Sequence, residues 1–167
     1  MSEALAGSTT ARIGSIRLDE GSIVRWNPEI EHERDVAIFD LLEDNHFAVN
    51  GGPDGPFEVL LSLRDATVIM DVTGTAAAGG SGNRAEISLS VRPLRRIIKD
   101  YFMICETYLD AIKGATPSRI EALDMARRGL HNEGAEMLKD GLSGKVEIDD
   151  NTARRLFTLV CVLHLRG

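Results

Sequence analysis

The hydrophobic pattern of this chain changes from a strand period to a helix period near Pro93, and that change limits the possible folds more than any other feature. Before it, Phe57–Leu63, Thr67–Val72 and Ala85–Val91 are short strand-like segments, and the last of them alternates strictly. After it, apolar residues recur every three or four positions over Leu94–Ile112, as they do on a helix. Strands followed by helices predict an α+β fold, in which a small antiparallel sheet packs against a mainly helical C-terminal half.

An N-terminal strand and a helix are expected before this three-stranded meander. Residues 11–18 alternate well enough for a strand with Ile16 and Leu18 turned inward. Asn27-Pro28 supplies an N-cap and a first-turn proline for a helix that we expect to reach about Glu43. Turns or loops are expected at residues 50–56, 64–66 and 74–83, which are rich in turn-forming residues or in glycine and alanine.

Two further helices follow the one that starts near Pro93. Thr116-Pro117 begins the first of them, and Gly141 or Gly144 ends it. Residues 145–149 are expected to be a short strand or an extended connection. The last helix, residues 152–165, is apolar on nearly all sides and is therefore either buried or covered by a second subunit. We expect the chain to form a homodimer through this helix.

Composition limits the classes of protein to which the chain can belong. Its length of 167 residues suits one domain, expected over residues 11–167 after a disordered tail at residues 1–10. A formal net charge of −7 disfavours nucleic acid as a partner, because binding to phosphates depends on lysine and arginine. The sequence shows no secretory signal and no apolar segment long enough to span a membrane, so we expect a cytoplasmic protein.

Motifs for common cofactors and metals are missing from the sequence. It has no nucleophile elbow, phosphate-binding loop, dinucleotide fingerprint or calcium loop, so we expect no cofactor. Cys105 and Cys161 both lie in apolar helical patterns and lack the spacing of a zinc site, so we expect no metal. Buried, reduced thiols are the expected state of both cysteines.

The helix that starts at Pro117 carries the strongest candidate site. Asp124, Arg127 and His131 lie three to seven residues apart, at the edge of its apolar face. His131 and Glu133 point about 200° apart, so they do not form a catalytic pair. The cluster is either an anion-binding or acid–base site, with Arg127 as the donor and His131 as the proton carrier, or a structural network of ion pairs.

Other charged and small residues carry weaker signals. Arg34 falls within the apolar face of the first helix and must have a partner, which makes it either a structural pair or a member of the site. Gly134 lies on the apolar face of its helix, where the lack of a side chain allows a second helix to approach closely. The chain contains three Arg-Arg pairs, at residues 95-96, 127-128 and 154-155. We expect them to form a solvated surface, although together they are able to bind an anion.

Several segments of the chain are similar to a known family. They are Ser22-Ile-Val-Arg25, Glu31-His-Glu-Arg34, Ala37-Ile-Phe-Asp-Leu-Leu42, Lys99-Asp-Tyr-Phe102, Met125-Ala-Arg-Arg-Gly-Leu-His-Asn-Glu-Gly134, Ala153-Arg-Arg-Leu-Phe157 and Cys161-Val-Leu-His-Leu-Arg-Gly167. On these segments the chain resembles uncharacterised protein family 0262, which consists of small alphaproteobacterial proteins, over roughly residues 12–167. The resemblance implies a bacterial, cytoplasmic setting and no particular reaction.

The sequence leaves three functions open. We expect a binding or regulatory interaction protein, whose partner is a second copy of the chain, another protein or a small anionic ligand. The alternative is an enzyme or sensor for a small anionic metabolite that uses Arg34, Asp124, Arg127 and His131. A nucleic-acid-binding protein is the third alternative, and it requires the Arg-Arg pairs to line one surface.

Overall fold

The structure, a computed structural model, describes residues 10–19, 28–75 and 83–164. Its strands are β1 (Ile13–Leu18), β2 (Phe47–Val49), β3 (Asp54–Arg64), β4 (Thr67–Thr75), β5 (Arg84–Ser90) and β6 (Val146–Ile148). Its helices are α1 (Pro28–Glu43), α2 (Arg95–Ala111), α3 (Pro117–Leu142) and α4 (Asp150–His164), and a 3-10 turn at Arg92–Leu94 leads into α2. Residues 1–9 of the tail expected at residues 1–10, the Asn27 cap and most of the 74–83 loop lie outside the described residues.

Four strands form the main sheet in the order β1-β3-β4-β5, which confirms the α+β class. The pairs β3–β4 and β4–β5 are antiparallel, as expected for a meander. The pair β1–β3 is parallel, so the sheet is mixed and not purely antiparallel. The reason is the connection between these two strands, because a crossover that contains a helix, here α1, allows neighbouring strands to run in the same direction.

The first strand contains an irregularity that the sequence pattern does not show. The register between β1 and β3 shifts between Ile13 and Ser15, on either side of Gly14. A bulge adds one residue to the alternation, so Ile13 and Ile16 both reach the core. Leu18 is half-buried and packs against that core, in agreement with the inward direction expected for it.

The strands of the meander are longer than the sequence pattern indicates. β3 begins at Asp54, inside the segment expected to be a turn, and β4 extends through Gly74 to Thr75. The hairpin between them turns at Asp65-Ala66, where Asp65 has a φ of 56°. Aspartate tolerates this left-handed conformation better than most residues, which suits it to a tight turn.

A second, two-stranded sheet joins distant parts of the chain. β2 pairs with β6 in antiparallel register, from Phe47 opposite Ile148 to Val49 opposite Val146. The expected strand near residues 145–149 is therefore confirmed, whereas the sequence pattern does not predict β2. Asp149 follows this sheet and accepts a hydrogen bond from the backbone N–H of Thr152 at 2.8 Å, which caps the start of α4.

Helix α4 is the centre of the helical part of the molecule. Its residues from Leu156 to Leu163 are all buried, and it packs against α1 on one side and α3 on another. Burial on all sides explains why its sequence is apolar nearly all round. The apolar sequence of α4 is thus accounted for within its own chain, and the expected homodimer stays a prediction that this helix no longer explains.

Helix α3 begins and ends at the residues that its sequence indicates. The side chain of Thr116 accepts a hydrogen bond from the backbone N–H of Arg119, and Pro117 occupies the first helical position. The helix ends at Leu142, and Gly144 follows with a φ of 85°, a left-handed conformation that glycine adopts without strain. Among the described residues no helix is both long and apolar enough to cross a membrane.

Candidate ligand-binding cleft

The contact between Gly134 on α3 and Phe157 on α4 brings these two helices unusually close. A Cβ atom added at Gly134 would lie 2.6 Å from Cε2 of Phe157 and closer still to two other atoms of that ring. The prediction that Gly134 permits a close helix contact is therefore confirmed. The other interior glycine of the helix, Gly129, is exposed and would meet nothing within 4 Å.

This close approach places His131 directly against α4. Its ring meets the Phe157 ring edge-on, with centroids 5.5 Å apart, and lies 5.3 Å from the ring of Tyr101 on α2. Nε2 of His131 is 2.7 Å from the hydroxyl oxygen of Thr158, which also donates to the carbonyl of Arg154 at 3.3 Å. Burial, followed by the charges of nearby arginines, lowers the pKa of His131 to about 4. The imidazole is therefore neutral at neutral pH.

Arg127 is held from two directions. Its Nη2 donates to Oδ1 of Asp124 at 2.6 Å, and its guanidinium carbon lies 4.7 Å from the centroid of the Tyr108 ring. Asp124 also pairs with Arg128 at 2.8 Å, and the hydrogen bond from Arg127 holds the pKa of Asp124 below its usual value. One carboxylate thus serves two guanidinium groups. Nε of Arg127 is buried and has no hydrogen-bond partner among the residues that the structure describes.

A second arginine pair approaches the same place from α4. Arg155 lies 3.8 Å from Oδ2 of Asp40 on α1, which is close enough for attraction but too far for a hydrogen bond. Its Nε is also buried without a hydrogen-bond partner in the described part of the chain. Arg154 bonds the side chain of Asn151. Both arginines act on His131, since they contribute to the lowering of its pKa.

A half-buried carboxyl group, Glu33 of α1, completes the cluster. It is hydrogen-bonded to the hydroxyl of Tyr101, and its burial raises its pKa while the charge of Arg127 opposes that rise. Burial and the neighbouring Glu33 raise the pKa of Tyr101, so its hydroxyl stays protonated and donates. Tyr101 is also hydrogen-bonded to the thiol of Cys105, whose pKa is raised by burial to about 11.

These side chains line two neighbouring pockets that share His131 as a lining residue, and the two pockets are called the lobes of the cleft. The arginine lobe, about 360 Å³, is lined by Tyr101, Arg127, Arg128, His131, Asn132 and Arg154. The carboxylate lobe, about 240 Å³, is lined by His32, Glu33, Val36, Ala37, Asp40, His131, Arg155 and Thr158. The cleft thus joins one strongly cationic region to one that contains two carboxylates.

The structure brings together three of the four site residues predicted from the sequence. Arg127 and His131 line the cleft, and Asp124 anchors Arg127 beside it. Arg34 is not among the described residues that line either lobe, and its Nε pairs with the adjacent Asp35 at 3.0 Å. His131 is half-buried whereas Glu133 is exposed, which agrees with the expectation that they do not act as a pair.

The sequence pattern does not single out Glu33, Tyr101 or Thr158 as members of the site. A signal for Glu33 exists, because it precedes the buried residues Ala37 and Leu41 by four and eight positions and so shares their helix face. Thr158 is one of few polar residues on a helix that is otherwise apolar. Of the Arg-Arg pairs, which were expected to form a solvated surface, 127-128 and 154-155 contribute side chains to this cleft, and Arg128 is exposed as expected.

Metal binding receives no support from the clusters of potential ligands. Within residues 10–19, 28–75 and 83–164, no group of three or more histidine, cysteine, aspartate or glutamate side chains is arranged to hold a metal ion.

Comparisons with known proteins relate the chain to bacterial sequences along nearly its whole length. It is 55% identical to a UPF0262 protein of Rhodospirillum rubrum over 158 residues, which are 95% of each chain. It is 57% identical to a UPF0262 protein of Mesorhizobium japonicum over 160 residues, which are 95% of this chain and 96% of that one. No solved structure matches the chain significantly. The sequence model of the uncharacterised protein family UPF0262 matches residues 10–166, and the chain therefore belongs to this family.

Proposed function

We propose that this protein binds a small anionic ligand in the cleft at His131. The observation that carries the proposal is the convergence of Arg127 and Arg128 from α3 with Arg154 from α4 on one lobe, while Arg155 of α4 lines the other lobe. A partly buried cation without a full set of partners costs free energy, and an anion with several oxygen atoms supplies the missing acceptors. The Nε atoms of Arg127 and Arg155 are buried and have no hydrogen-bond partner among the described residues. These two atoms therefore lack an acceptor.

A purely structural network of ion pairs accounts less well for the same residues. In such a network each guanidinium would be sealed by its own carboxylate, because unpaired buried charges destabilise a fold. Here Arg127 and Arg128 share Asp124, and Arg155 lies beyond hydrogen-bond distance of Asp40. The arginine lobe is also concave and, at about 360 Å³, has the size of a small-molecule site, which a sealed network would not leave open.

Catalysis by this site is the second candidate, and one contact favours it. The 2.7 Å hydrogen bond between His131 and Thr158 resembles the pairing of a base with a hydroxyl nucleophile. Two facts favour binding over this function. A pKa near 4 makes His131 a weak base at neutral pH, and the Thr158 hydroxyl bonds the Arg154 carbonyl one turn earlier, as helical threonines commonly do.

We also propose that the protein forms a homodimer, but through a surface other than helix α4. Since α4 is buried in its own chain, a homodimer would need another surface. Exposed apolar side chains are present on α1 and α2, among them Phe39 at 65% exposed and Met103 at 57%. Native mass spectrometry of the purified protein reports both the oligomeric state and any ligand that is retained. A strictly monomeric mass would refute the homodimer.

The anion-binding function is tested by thermal unfolding and calorimetric titration with ethyl phosphate and propionate. An anion present at ten times its Kd stabilises the fold by about 1.4 kcal/mol, which raises the Tm by about 3–6 °C. Arg127→Gln is expected to remove this shift. Arg95→Gln is the matched control, since it makes the same change of charge at an exposed position of α2 outside the cleft. Equal shifts in both variants, or no shift with either anion, would refute the proposal.

A further inference from the structure

The two lobes of the cleft differ in charge, and this difference indicates which chemical groups the ligand carries. The arginine lobe is lined by three guanidinium groups, and among the described residues no carboxylate lines it. Asp124, which pairs with two of these arginines, lies beside the lobe, so the lobe keeps a net positive charge. The carboxylate lobe is lined by Glu33 and Asp40 and by a single guanidinium, that of Arg155.

Both carboxylates of the second lobe retain capacity to accept hydrogen bonds. Glu33 accepts from the hydroxyl of Tyr101, and a carboxylate has several further lone pairs. Asp40 is 41% exposed and lies 3.8 Å from Nε of Arg155, so this ion pair is not closed by a hydrogen bond. A donor group that enters this lobe therefore finds two acceptors. A protonated amine bonds to either of them and also supplies the opposite charge.

The junction between the lobes suits a short, uncharged linker. His131 lines both lobes and is neutral, so it repels neither end of a ligand that passes it. Val36 and Ala37 of α1 add an apolar wall next to the carboxylates. Methylene groups fit this wall better than further polar groups, because buried apolar surface is favourable and unpaired polar groups are not.

We propose that the ligand is a small dipolar molecule, with its anionic group in the arginine lobe and a protonated amine in the carboxylate lobe. This inference rests on the proposed anion-binding function and specifies its ligand class. The anionic group is either a phosphate or a carboxylate, and a spacer of a few methylene groups connects it to the amine. Amino acids and phosphorylated amines both have this chemistry.

Matched pairs of ligands test the inference by calorimetry. Phosphoethanolamine is compared with ethyl phosphate, and β-alanine is compared with propionate, so that each pair differs mainly in the amine. In the wild-type protein we expect the amine to tighten binding by about tenfold or more in at least one pair, since charge-assisted hydrogen bonds contribute this much. The pair with the larger effect identifies the anionic group. 2-Hydroxyethyl phosphate shows whether a neutral donor is equally effective.

Two variants test whether the amine of the ligand binds in the carboxylate lobe. Asp40→Asn and Glu33→Gln are expected to reduce the advantage of the amine over its matched simple anion to about twofold or less. Glu43→Gln is the matched control, because it removes the same charge from an exposed position on the same helix outside the cleft. Should Glu33→Gln fail to fold because of its contact with Tyr101, the half-exposed Asp40 position still decides the question.

The outcomes separate this inference from the function on which it rests. Binding of the simple anions that depends on Arg127, without any gain from the amine, would leave the proposed function standing and overturn the inference. An amine advantage that survives in both carboxylate variants, or equal binding of the hydroxyl analogue, would overturn it as well. If neither simple anion nor amine analogue binds, both proposals are refuted.

Discussion

The contact between Gly134 and Phe157 makes Gly134→Ala a strongly destabilising substitution. The new methyl group would overlap the Phe157 ring, which is fully buried and packs edge-on against His131 and Tyr101. Because the ring has no free space to move into, α3 and α4 must separate. Overpacking of this kind costs about 1–3 kcal/mol, and the gain in helix propensity returns only about 0.5–1 kcal/mol.

We therefore expect Gly134→Ala to lower the free energy of unfolding by about 1–2 kcal/mol, and the Tm by about 2–8 °C. Urea unfolding followed by circular dichroism measures this loss. Gly129→Ala is the matched control on the same helix, because its methyl group would meet nothing within 4 Å, and it should stabilise the protein by about 0.5–1 kcal/mol. The same measurement on the Gly134→Ala, Phe157→Leu double variant should show strong coupling between the two positions. Equal stability of the two alanine variants would refute the proposed close contact.

Two further predictions concern titratable groups. His131 has a pKa of about 4 in the fold against about 6.5 unfolded, so the unfolded chain binds more protons between these values. Stability should therefore fall by at most about 3 kcal/mol as the pH drops from about 6.5 to about 4, and His131→Gln should flatten this slope in urea unfolding at several pH values; an unchanged slope would contradict the assignment. Burial raises the pKa of Cys105 to about 11 and also raises that of Cys161, so both thiols should react with Ellman's reagent about a hundredfold more slowly in the native protein than in urea. Rapid reaction of the native protein would show that these thiols are accessible.

Most helices and the hairpins could be predicted because their signals are local. Pro28, Thr116-Pro117 and Gly144 mark helix ends through their own backbone chemistry, and alternation marks the strands of the meander. The parallel pairing of β1 with β3 and the short strand β2 depend on partners far along the chain. A strand of three residues carries almost no periodic signal, and pairing direction is not encoded in the alternation itself.

The candidate site also contains some residues that the sequence groups by local spacing and others that only the fold brings together. Asp124, Arg127 and His131 could be grouped because they lie on one face of one helix, where spacing alone determines neighbours. Glu33 and Thr158 join them from other helices, so only tertiary packing reveals the contact. The same limit explains why Arg34 was included in the predicted site. It lies next to Glu33 in sequence but is not among the described residues that line the cleft. A helix face predicts which residues are buried together, but not which partner helix faces them.

The floor of the arginine lobe is also part of the hydrophobic core, since Tyr101 lines this lobe and packs against the buried ring of Phe157. A ligand that holds α3 and α4 together across this floor must therefore slow the opening of the core itself. Amide hydrogen exchange along α4, whose central residues are shielded from solvent, should report occupancy of a site that lies at the surface. Exchange protection in this helix offers a way to screen ligands without knowing the reaction or pathway to which they belong.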